Sequence, residues 1–254
     1  MKIGIIGLGV VGTAVKEGFK EHEIFTYDKF KNSNTIEEVT DNSELIFVSV
    51  PTPSNKQGID LSAVNKTIEL LNKLNYTGLI VLKSTVPPGT TDSYKKKYPN
   101  LKLSHNPEFL TEKNAINDFQ NPDRIIIGYY NEEDIKSFKE IHKKFDCPLM
   151  ETIPKVSEMI KYTANSFLAT KVIFANQVYD YCKKLDIDYN EVKKGVLLDN
   201  RIGKTHFDVT EERGYGGMCF PKDVYAFIKS AKKQGIKLDL LKKVHEINQK
   251  IRKN

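Results

Sequence analysis

Short apolar runs alternate with amphipathic segments through residue 153 of this chain. The apolar runs predict six strands, at Lys2–Ile6, Ile24–Tyr27, Leu45–Val50, Leu79–Leu82, Leu101–Ser104 and Arg124–Gly128. Apolar residues at helical spacing predict helices between them, including Thr13–Phe19, Leu61–Leu74 and Glu132–Lys144. Such alternation is typical of a doubly wound α/β domain with a largely parallel sheet.

The pattern changes near Pro154, after which the chain is helical in character. One long helix is predicted over Lys155–Leu185, with apolar residues at Ile160, Phe167, Leu168, Val172, Phe174, Ala175 and Val178. Shorter helices are predicted at Tyr189–Leu198, Val224–Gln234 and Leu240–Ile251. We therefore predict an α/β domain over residues 1–153 and an α-helical domain over residues 154–254.

The first predicted strand leads directly into a glycine motif and a helix, the context of a dinucleotide-binding fingerprint. Gly7 would make the tight turn, Gly9 would let the backbone approach a pyrophosphate, and Gly12 would permit close packing of helix on strand. Val10 and Val11 complete the motif at the start of the helix, whose N-terminus favours phosphate. The motif predicts a Rossmann-type cofactor domain.

Asp28 ends the second predicted strand, roughly twenty residues past the glycines, where an acceptor for the ribose 2′-OH is expected. A carboxylate there repels a 2′-phosphate, so NAD is favoured over NADP. Lys29 and Lys31 follow directly and would weaken that preference. The alternative interpretation is a plain glycine turn with a surface aspartate.

Composition narrows the functional classes. The chain has 254 residues, enough for one large domain or two small ones, and its net charge of +6 is spread over interspersed acids and bases. This pattern favours an anionic small ligand over nucleic acid. The five histidines lack ligand spacing, so no metal site is predicted. Three cysteines form no disulfide framework, and no signal peptide or membrane span is evident, so we expect a cytoplasmic protein without a membrane partner.

Cys219 lies in a glycine-flanked run, GYGGMCFPKD, with Lys222 three residues on and Asp223 four residues on. A nearby ammonium group favours the thiolate, so this is a candidate activated nucleophile; the alternative is a small core residue. Lys161 and Asn165 are spaced to share one face of the long helix. By itself that spacing favours a solvated lysine above a helix-surface asparagine.

Three loops leave predicted strand ends, at residues 51–53, 84–89 and 105–108. Ligands of doubly wound sheets bind beyond the carboxyl ends of the strands. We therefore expect these loops to line the ligand site.

An ordered series of motifs runs from Met1 to about Ile251. The motifs are GLGVVG at 7–12, VPTP at 50–53, KSTVPPGTT at 83–91, NPEFLTE at 106–112, PDRIIIG at 122–128, KYTANSFLATKVIFAN at 161–176, DNRIG at 199–203 and GYGGMCFPKD at 214–223. This series resembles the UDP-glucose/GDP-mannose dehydrogenases. The resemblance implies NAD-dependent oxidation of the C6 alcohol of a nucleotide sugar to a carboxylate. The run NPDRIIIG looks more like the UDP-glucose branch.

The resemblance also implies a role for each matching residue. The catalytic set would be Cys219 as nucleophile through a thiohemiacetal and a thioester, Lys161 and Asn165 at the oxyanion, Asp223 positioning water or the lysine, and Thr85, Glu108 and Glu112 holding or activating the hydrolytic water. NAD would be bound by Gly7, Gly9, Val10, Val11, Gly12, Asp28, Thr52, Thr85 and Lys222. The sugar substrate would meet Glu108, Phe109, Leu110, Lys161, Asn165, Gly216 and, from a neighbouring subunit, Arg201. The family pattern further implies a homodimer through the 155–185 helix.

Three departures from the family pattern bear on substrate identity. Family members usually continue into a third, nucleotide-binding domain where this chain ends, so we expect a short form without it. The segment between Asp28 and Leu45 is shorter than usual, and KTHFDVTEER replaces a proline-containing approach to GYGG. Two alternatives stay open: a β-hydroxyacid-type dehydrogenase that does not use Cys219, and a non-catalytic NAD-binding protein or fragment that needs a separate nucleotide-binding partner.

Overall fold

The computed structural model describes residues 1–56 and 58–253, which form two compact units. The first unit comprises Met1–Asn55 and Ile59–Lys161. The second runs from Tyr162 onward and includes Lys56 and Gly58. The division falls within one long helix that begins at Pro154, the first residue of the predicted helical domain.

A seven-stranded sheet forms the centre of the first unit. Its strands are β1 Lys2–Ile6, β2 Glu23–Tyr27, β3 Leu45–Val48, β6 Leu79–Leu82, β7 Lys102–His105, β8 Ile125–Gly128 and β9 Leu149–Thr152, and a separate two-stranded sheet pairs β4 Ser54–Asn55 with β5 Gly58–Ile59. The spatial order is β2-β1-β3-β6-β7-β8-β9. Within this sheet, β7 and β8 pair antiparallel at His105 and Gly128, and the other neighbouring strands pair in parallel. The predicted doubly wound, largely parallel fold is confirmed.

Apolar residues on both faces of the strands explain why this sheet is buried. Ile3, Phe47 and Val81 face one core cluster, whereas their neighbours Ile46 and Ile80 face the other. Successive side chains of a strand point to opposite faces, so a continuous apolar run predicts a strand covered on both sides. The six predicted strands are confirmed, with ends that differ from the prediction by at most two residues.

The helices of the first unit cover these two faces. They are α1 Val10–Gly18, α2 Ile36–Asn42, α3 Ser62–Lys73, α4 Thr90–Lys97, α5 Ala115–Gln120 and α6 Lys136–His142, with 3-10 turns at Glu112–Asn114 and Glu132–Ile135. The predicted helix over Glu132–Lys144 therefore begins as a 3-10 turn and ends earlier than expected. Helices α2, α4 and α5 and strands β4, β5 and β9 were not predicted from the sequence.

The second unit contains the long helix α7 beyond residue 161 and three shorter helices. Their bounds are α7 Pro154–Lys184, α8 Tyr189–Val196, α9 Cys219–Lys233 and α10 Asp239–Ile251. The predicted long helix is confirmed to within one residue at each end. The predicted start of α9 at Val224 was wrong, because the helix already begins at Cys219. Pro221 is compatible with this start, since a proline in the first helical turn lacks only an N–H that has no partner within the helix.

In the part of the chain that the structure describes, no helix has the length and apolar character needed to cross a membrane.

Candidate active site

The glycine motif forms a tight turn between β1 and α1. Gly7 has a φ of +93°, a conformation that side chains with a Cβ rarely adopt. A Cβ on Gly12 would lie 1.8 Å from the carbonyl oxygen of Gly7, so the helix can pack this closely only with glycine there. A Cβ on Gly9 would meet no heavy atom within 4 Å. Gly9 thus leaves open space beside the N-terminus of α1. As the N-cap residue it has no side chain that could accept hydrogen bonds from the first N–H groups of the helix.

Asp28 folds back onto this turn. Its Oδ2 accepts a hydrogen bond from the Leu8 N–H at 2.7 Å, its Oδ1 accepts one from the Phe30 N–H at 2.9 Å, and the Lys31 ammonium donates to the Leu8 carbonyl. Burial acts to raise the pKa of Asp28, but the Leu8 and Phe30 hydrogen bonds and the Lys31 charge leave it below its ordinary value. The carboxylate is therefore ionised at neutral pH. Open backbone, helix N-terminus and carboxylate together fit a dinucleotide with a free ribose 2′-OH.

The loops after β3 and β6 lie at the same carboxyl edge of the sheet. The Ser84 hydroxyl donates to the Val50 carbonyl at 2.7 Å and joins the two loops. Thr52 and Thr85, the two threonines predicted to serve the cofactor and water, are both buried in them. The position of these loops agrees with the rule that ligands bind beyond the carboxyl ends of parallel strands.

Glu108 and Lys161 form a buried ion pair. The Lys161 ammonium donates to the Glu108 carbonyl at 2.6 Å and to its Oε1 at 2.8 Å, and the side chains are only 4% and 9% exposed for lysine and glutamate. Burial acts to raise the pKa of Glu108, but the charge and hydrogen bond of Lys161 outweigh it and hold that pKa below its ordinary value. Glu108 is therefore a carboxylate, able to accept a proton once a partner presents one.

Phe109 and Leu110 follow Glu108 and shape its surroundings. The Phe109 ring contacts two cations, with the Arg124 guanidinium 4.0 Å and the Lys161 ammonium 5.4 Å from its centroid. The Leu110 N–H donates to Glu108 Oε2 at 2.8 Å. Glu108, Phe109 and Leu110 line a cavity of about 300 Å³ within the first unit.

In the second unit, Cys219 is the first residue of α9 and its side chain is exposed. The partial positive charge of a helix N-terminus favours a thiolate at this position. Asp223, one turn later, is fully buried and is bound on both oxygens. Its Oδ2 accepts from Asn165 Nδ2 and its Oδ1 from the Lys222 ammonium, each at 2.6 Å. The structure thus brings the predicted residues Asn165, Lys222 and Asp223 together.

The loop before Cys219 has an unusual backbone. Arg213, Gly214 and Gly217 all have positive φ angles, of 57°, 55° and 70°. Asn248 of α10 holds this loop, because its Oδ1 accepts from the Tyr215 N–H at 2.7 Å and its Nδ2 donates to the Tyr215 carbonyl at 3.0 Å. The conformation of the cysteine loop therefore depends on a residue far along the chain.

Arg201 and Glu112 lie apart from these clusters, whereas Gly216 lies within the loop before Cys219. Arg201 is exposed and pairs with Asp199, through its Nε at 3.0 Å and its Nη2 at 2.6 Å. Glu112 is exposed in the 3-10 turn that precedes α5. Gly216 packs against the Arg252 side chain, whose Nη2 would lie 2.4 Å from an added Cβ.

Sequence reasoning missed four residues that shape the site. The Lys83 ammonium donates to Asn106, Glu158 accepts from Gly89 and Thr91 at the start of α4, and Asn248 holds Tyr215. Lys83 and Asn106 did carry a signal, since each directly follows a mostly buried strand, β6 and β7 respectively. Glu158 and Asn248 carry no local signal, because their partners are distant in sequence. Among residues 1–56 and 58–253, no group of three or more His, Cys, Asp or Glu side chains could hold a metal ion.

These features define a class: a Rossmann-type NAD-binding unit followed by a helical unit with a cysteine at a helix start. Residues 21–146 match the model of the UDP-glucose/GDP-mannose dehydrogenase family, NAD binding domain, and residues 155–250 match that family's central domain. The chain belongs to the UDP-glucose/GDP-mannose dehydrogenase family. The match to its NAD binding domain supports NAD as the cofactor.

Individual relatives agree with this assignment. The chain is 38% identical over 234 residues to UDP-glucose 6-dehydrogenase of Rickettsia felis, covering 87% of this chain and 51% of that protein. It is 31% identical over 301 residues to UDP-glucose 6-dehydrogenase AglM of Haloferax volcanii, covering 98% and 69%. The solved UDP-glucose dehydrogenase of Pyrobaculum islandicum superposes with a TM-score of 0.89 at 30% identity, covering 98% and 68%. The chain thus spans about half the length of the Rickettsia protein and about two thirds of the other two.

Proposed function

We propose that this chain carries the catalytic residues of an NAD-dependent nucleotide-sugar 6-dehydrogenase that oxidises UDP-glucose to UDP-glucuronate. The observation that carries the proposal is Cys219 at the start of α9, with Asp223 one turn later bound by Asn165 and Lys222. An exposed thiol at a helix N-terminus has the placement of a nucleophile. The names of the relatives support the substrate class.

The reaction removes four electrons from C6 of the sugar, from alcohol through aldehyde to acid. NAD, when bound at the glycine turn, would be the hydride acceptor for both oxidations. The thiolate of Cys219 adds to the aldehyde carbon and forms a C–S bond, giving a thiohemiacetal. Loss of the C6 hydride converts this adduct to a thioester, and water then cleaves the C–S bond, releasing the acid and the thiolate. Two NAD and one water are consumed for each acid formed.

Charged and polar side chains would stabilise these steps. Lys161 supplies a cation and Asn165 an amide donor for the alkoxide and the tetrahedral oxyanion. Glu108, held as a carboxylate beside Lys161, would accept the proton of the hydrolytic water. Asp223, bound through both oxygens, would orient Asn165 and Lys222.

The exposed face of α7 supports a homodimer as part of the proposal. Phe167, Phe174 and Tyr181 are spaced by seven residues, so they lie on one side of the helix. Their exposed fractions are 63%, 56% and 66%, so none of them is covered by the core of this chain. Aromatic side chains repeating along one face are typical of a helix that packs against a second helix. We propose that a second copy of this chain covers them.

The function is tested by mixing the protein with NAD and a panel of UDP- and GDP-sugars, and by following both NADH and acid product. The wild type should form two NADH per acid with UDP-glucose, and NADP should replace NAD poorly because of Asp28. Cys219→Ala should bind NAD normally but lose turnover. Glu108→Gln should slow thioester hydrolysis, so that intact-protein mass spectrometry detects an adduct on Cys219.

The outcomes separate the alternatives. Full activity of Cys219→Ser would favour a β-hydroxyacid-type dehydrogenase, which has no need of the thiol. Tight NAD binding without NADH formation from any sugar in the panel would favour a non-catalytic protein or one that needs a nucleotide-binding partner. Wild-type turnover by Cys219→Ala, with two NADH per acid, would rule out covalent catalysis at this position.

A further inference from the structure

A lysine with no part in the proposed mechanism is buried beneath the segment that carries Glu108. Lys83 directly follows β6 and is 4% exposed. The rings of Phe47 and Phe119 lie 5.9 and 5.7 Å from its Nζ. Burying an ammonium group is costly unless polar partners replace its water, so those partners indicate what the charge does.

The hydrogen-bonding partner of Lys83 is Asn106, two residues before Glu108. The Lys83 ammonium donates to Asn106 Oδ1 at 2.6 Å and lies 3.4 Å from the Asn106 carbonyl oxygen. The Asn106 amide in turn donates to the Ile126 carbonyl at 2.7 Å, and its backbone N–H donates to the Leu82 carbonyl at 2.8 Å. Asn106 is therefore held by β6, by β8 and by Lys83. These bonds fix the backbone position from which the chain continues to Glu108, two residues later.

The charged groups around Lys83 also connect it with Glu108. Burial lowers the pKa of Lys83 to about 8, whereas the Glu108 carboxylate acts to raise it and the Lys161 charge to lower it further. Burial, together with the Lys83 charge, lowers the pKa of His105 and of His142 to about 3, so both histidines are neutral. Glu108 is thus a carboxylate influenced by two lysines. The remaining charged groups on the wall of the cavity that Lys83 and Glu108 share are Asp118, Asp123 and Arg124.

We propose that Lys83 is a positioning residue for Glu108: its buried ammonium holds the Asn106 turn and, as a second cation, keeps the Glu108 carboxylate ionised and oriented toward the hydrolytic water. This inference rests on the proposed function. The physical reason is that Lys161 also interacts with the substrate oxyanion during the reaction, so less of its charge stabilises the Glu108 carboxylate. Lys83 stays hydrogen-bonded to Asn106, so its positive charge continues to stabilise that carboxylate.

The first test removes the charge and keeps the volume. Lys83→Met should slow thioester hydrolysis by about 10-fold or more, the effect of losing a hydrogen bond to a charged group. NAD binding should be unchanged, and the acylated Cys219 adduct should accumulate. The acid limb of the pH–rate profile should move to higher pH, because Glu108 loses a neighbouring cation. Lys96→Ala, which changes an exposed lysine of the same unit, is the control.

The second test restores the charge from solution. Lys83→Ala enlarges the cavity by the space of the missing propylammonium group, so added propylammonium should restore hydrolysis in that variant. The neutral analogue 1-propanol should not, and neither solute should affect the wild type or Lys96→Ala. Rescue by 1-propanol to the same degree would show that only volume is needed and would overturn the inference.

A third measurement does not depend on catalysis. Lys83→Met and Glu108→Gln, alone and together, form a double-mutant cycle in thermal unfolding, and we expect their effects to be non-additive. If the wild type oxidises no nucleotide sugar, the proposed function fails while the cycle still reports the Lys83–Glu108 coupling. If the wild type is active, the inference is wrong when folded Lys83→Met hydrolyses the thioester at the wild-type rate with an unshifted acid limb. Should that variant not fold, the Lys83→Ala rescue decides the question.

Discussion

Gly9 and Gly12 lie three residues apart in one turn, yet an added methyl group would meet different surroundings at each. At Gly12 it would lie 1.8 Å from the Gly7 carbonyl oxygen, and at Gly9 it would meet nothing within 4 Å. We therefore expect Gly12→Ala to lower the free energy of unfolding by at least the roughly 1–3 kcal/mol typical of overpacking. Gly9→Ala should melt like the wild type but bind NAD more weakly, because the methyl group occupies space that the pyrophosphate needs.

Differential scanning fluorimetry and calorimetric NAD titration measure these two effects separately. Equal melting temperatures for Gly12→Ala and the wild type would show that the turn relaxes around the methyl group. Unaltered NAD affinity in Gly9→Ala would place the cofactor away from this turn.

At the scale of elements, the cysteine loop depends on α10 through Asn248. Asn248→Ala removes both hydrogen bonds to Tyr215 and leaves a buried N–H and C=O unpaired, which costs about 1–3 kcal/mol for each unsatisfied group. We expect this variant to melt at lower temperature and to turn over more slowly, with unchanged NAD affinity. The neighbouring exposed residue provides the control Gln249→Ala. Full turnover by Asn248→Ala would mean that the loop holds Cys219 without this anchor.

Elements differed in how well the sequence predicted them. Six strands of the large sheet and α7 have strong apolar patterns, and their existence was predicted correctly. Helix α4 has the sequence TTDSYKKK, in which only Thr91 and Tyr94 are buried, so it shows no apolar stripe. Its position depends on Glu158, whose carboxylate accepts from the N–H groups of Gly89 and Thr91 at the helix start. That contact joins residues more than sixty positions apart, which no local pattern records.

At the scale of the whole molecule, Glu158 links stability to pH. Burial raises the pKa of Glu158 from 4.5 to about 7, against hydrogen bonds from Thr91 and Gly89. Because this carboxyl binds its proton more tightly in the folded state, its contribution is fully present below pH 4.5 and is lost as the pH rises through 7, by about 3 kcal/mol in all. Glu158→Gln has no such titration. The melting temperature of the wild type relative to Glu158→Gln should therefore fall between pH 5 and pH 7.5, and a constant difference would contradict a raised pKa.

The proposed dimer is the other whole-molecule prediction. Phe174→Glu places a charge in the middle of the exposed aromatic face of α7, so we expect sedimentation to show a monomer where the wild type is a dimer at micromolar concentration. Phe30→Glu makes the same chemical change at a side chain that is 86% exposed in the first unit, and it should leave the dimer intact. A monomeric wild type, or a dimer that survives Phe174→Glu, would rule out this interface.

The sequence by itself determined what depends on local geometry. A glycine turn after an apolar strand, an aspartate at the end of the next strand and a helix-spaced apolar stripe each arise from the periods of strands and helices, so Gly12, Asp28 and α7 were predicted directly. The assignment of Glu108, by contrast, came from family resemblance. Only the tertiary structure decided its buried pairing with Lys161, the hold of Lys83 on Asn106 and the anchoring of Tyr215 by Asn248. These contacts join residues 53, 23 and 33 positions apart. Such pairs form because folding removes water from charged and polar groups that must then find partners, and the partner is chosen by the packing of distant elements.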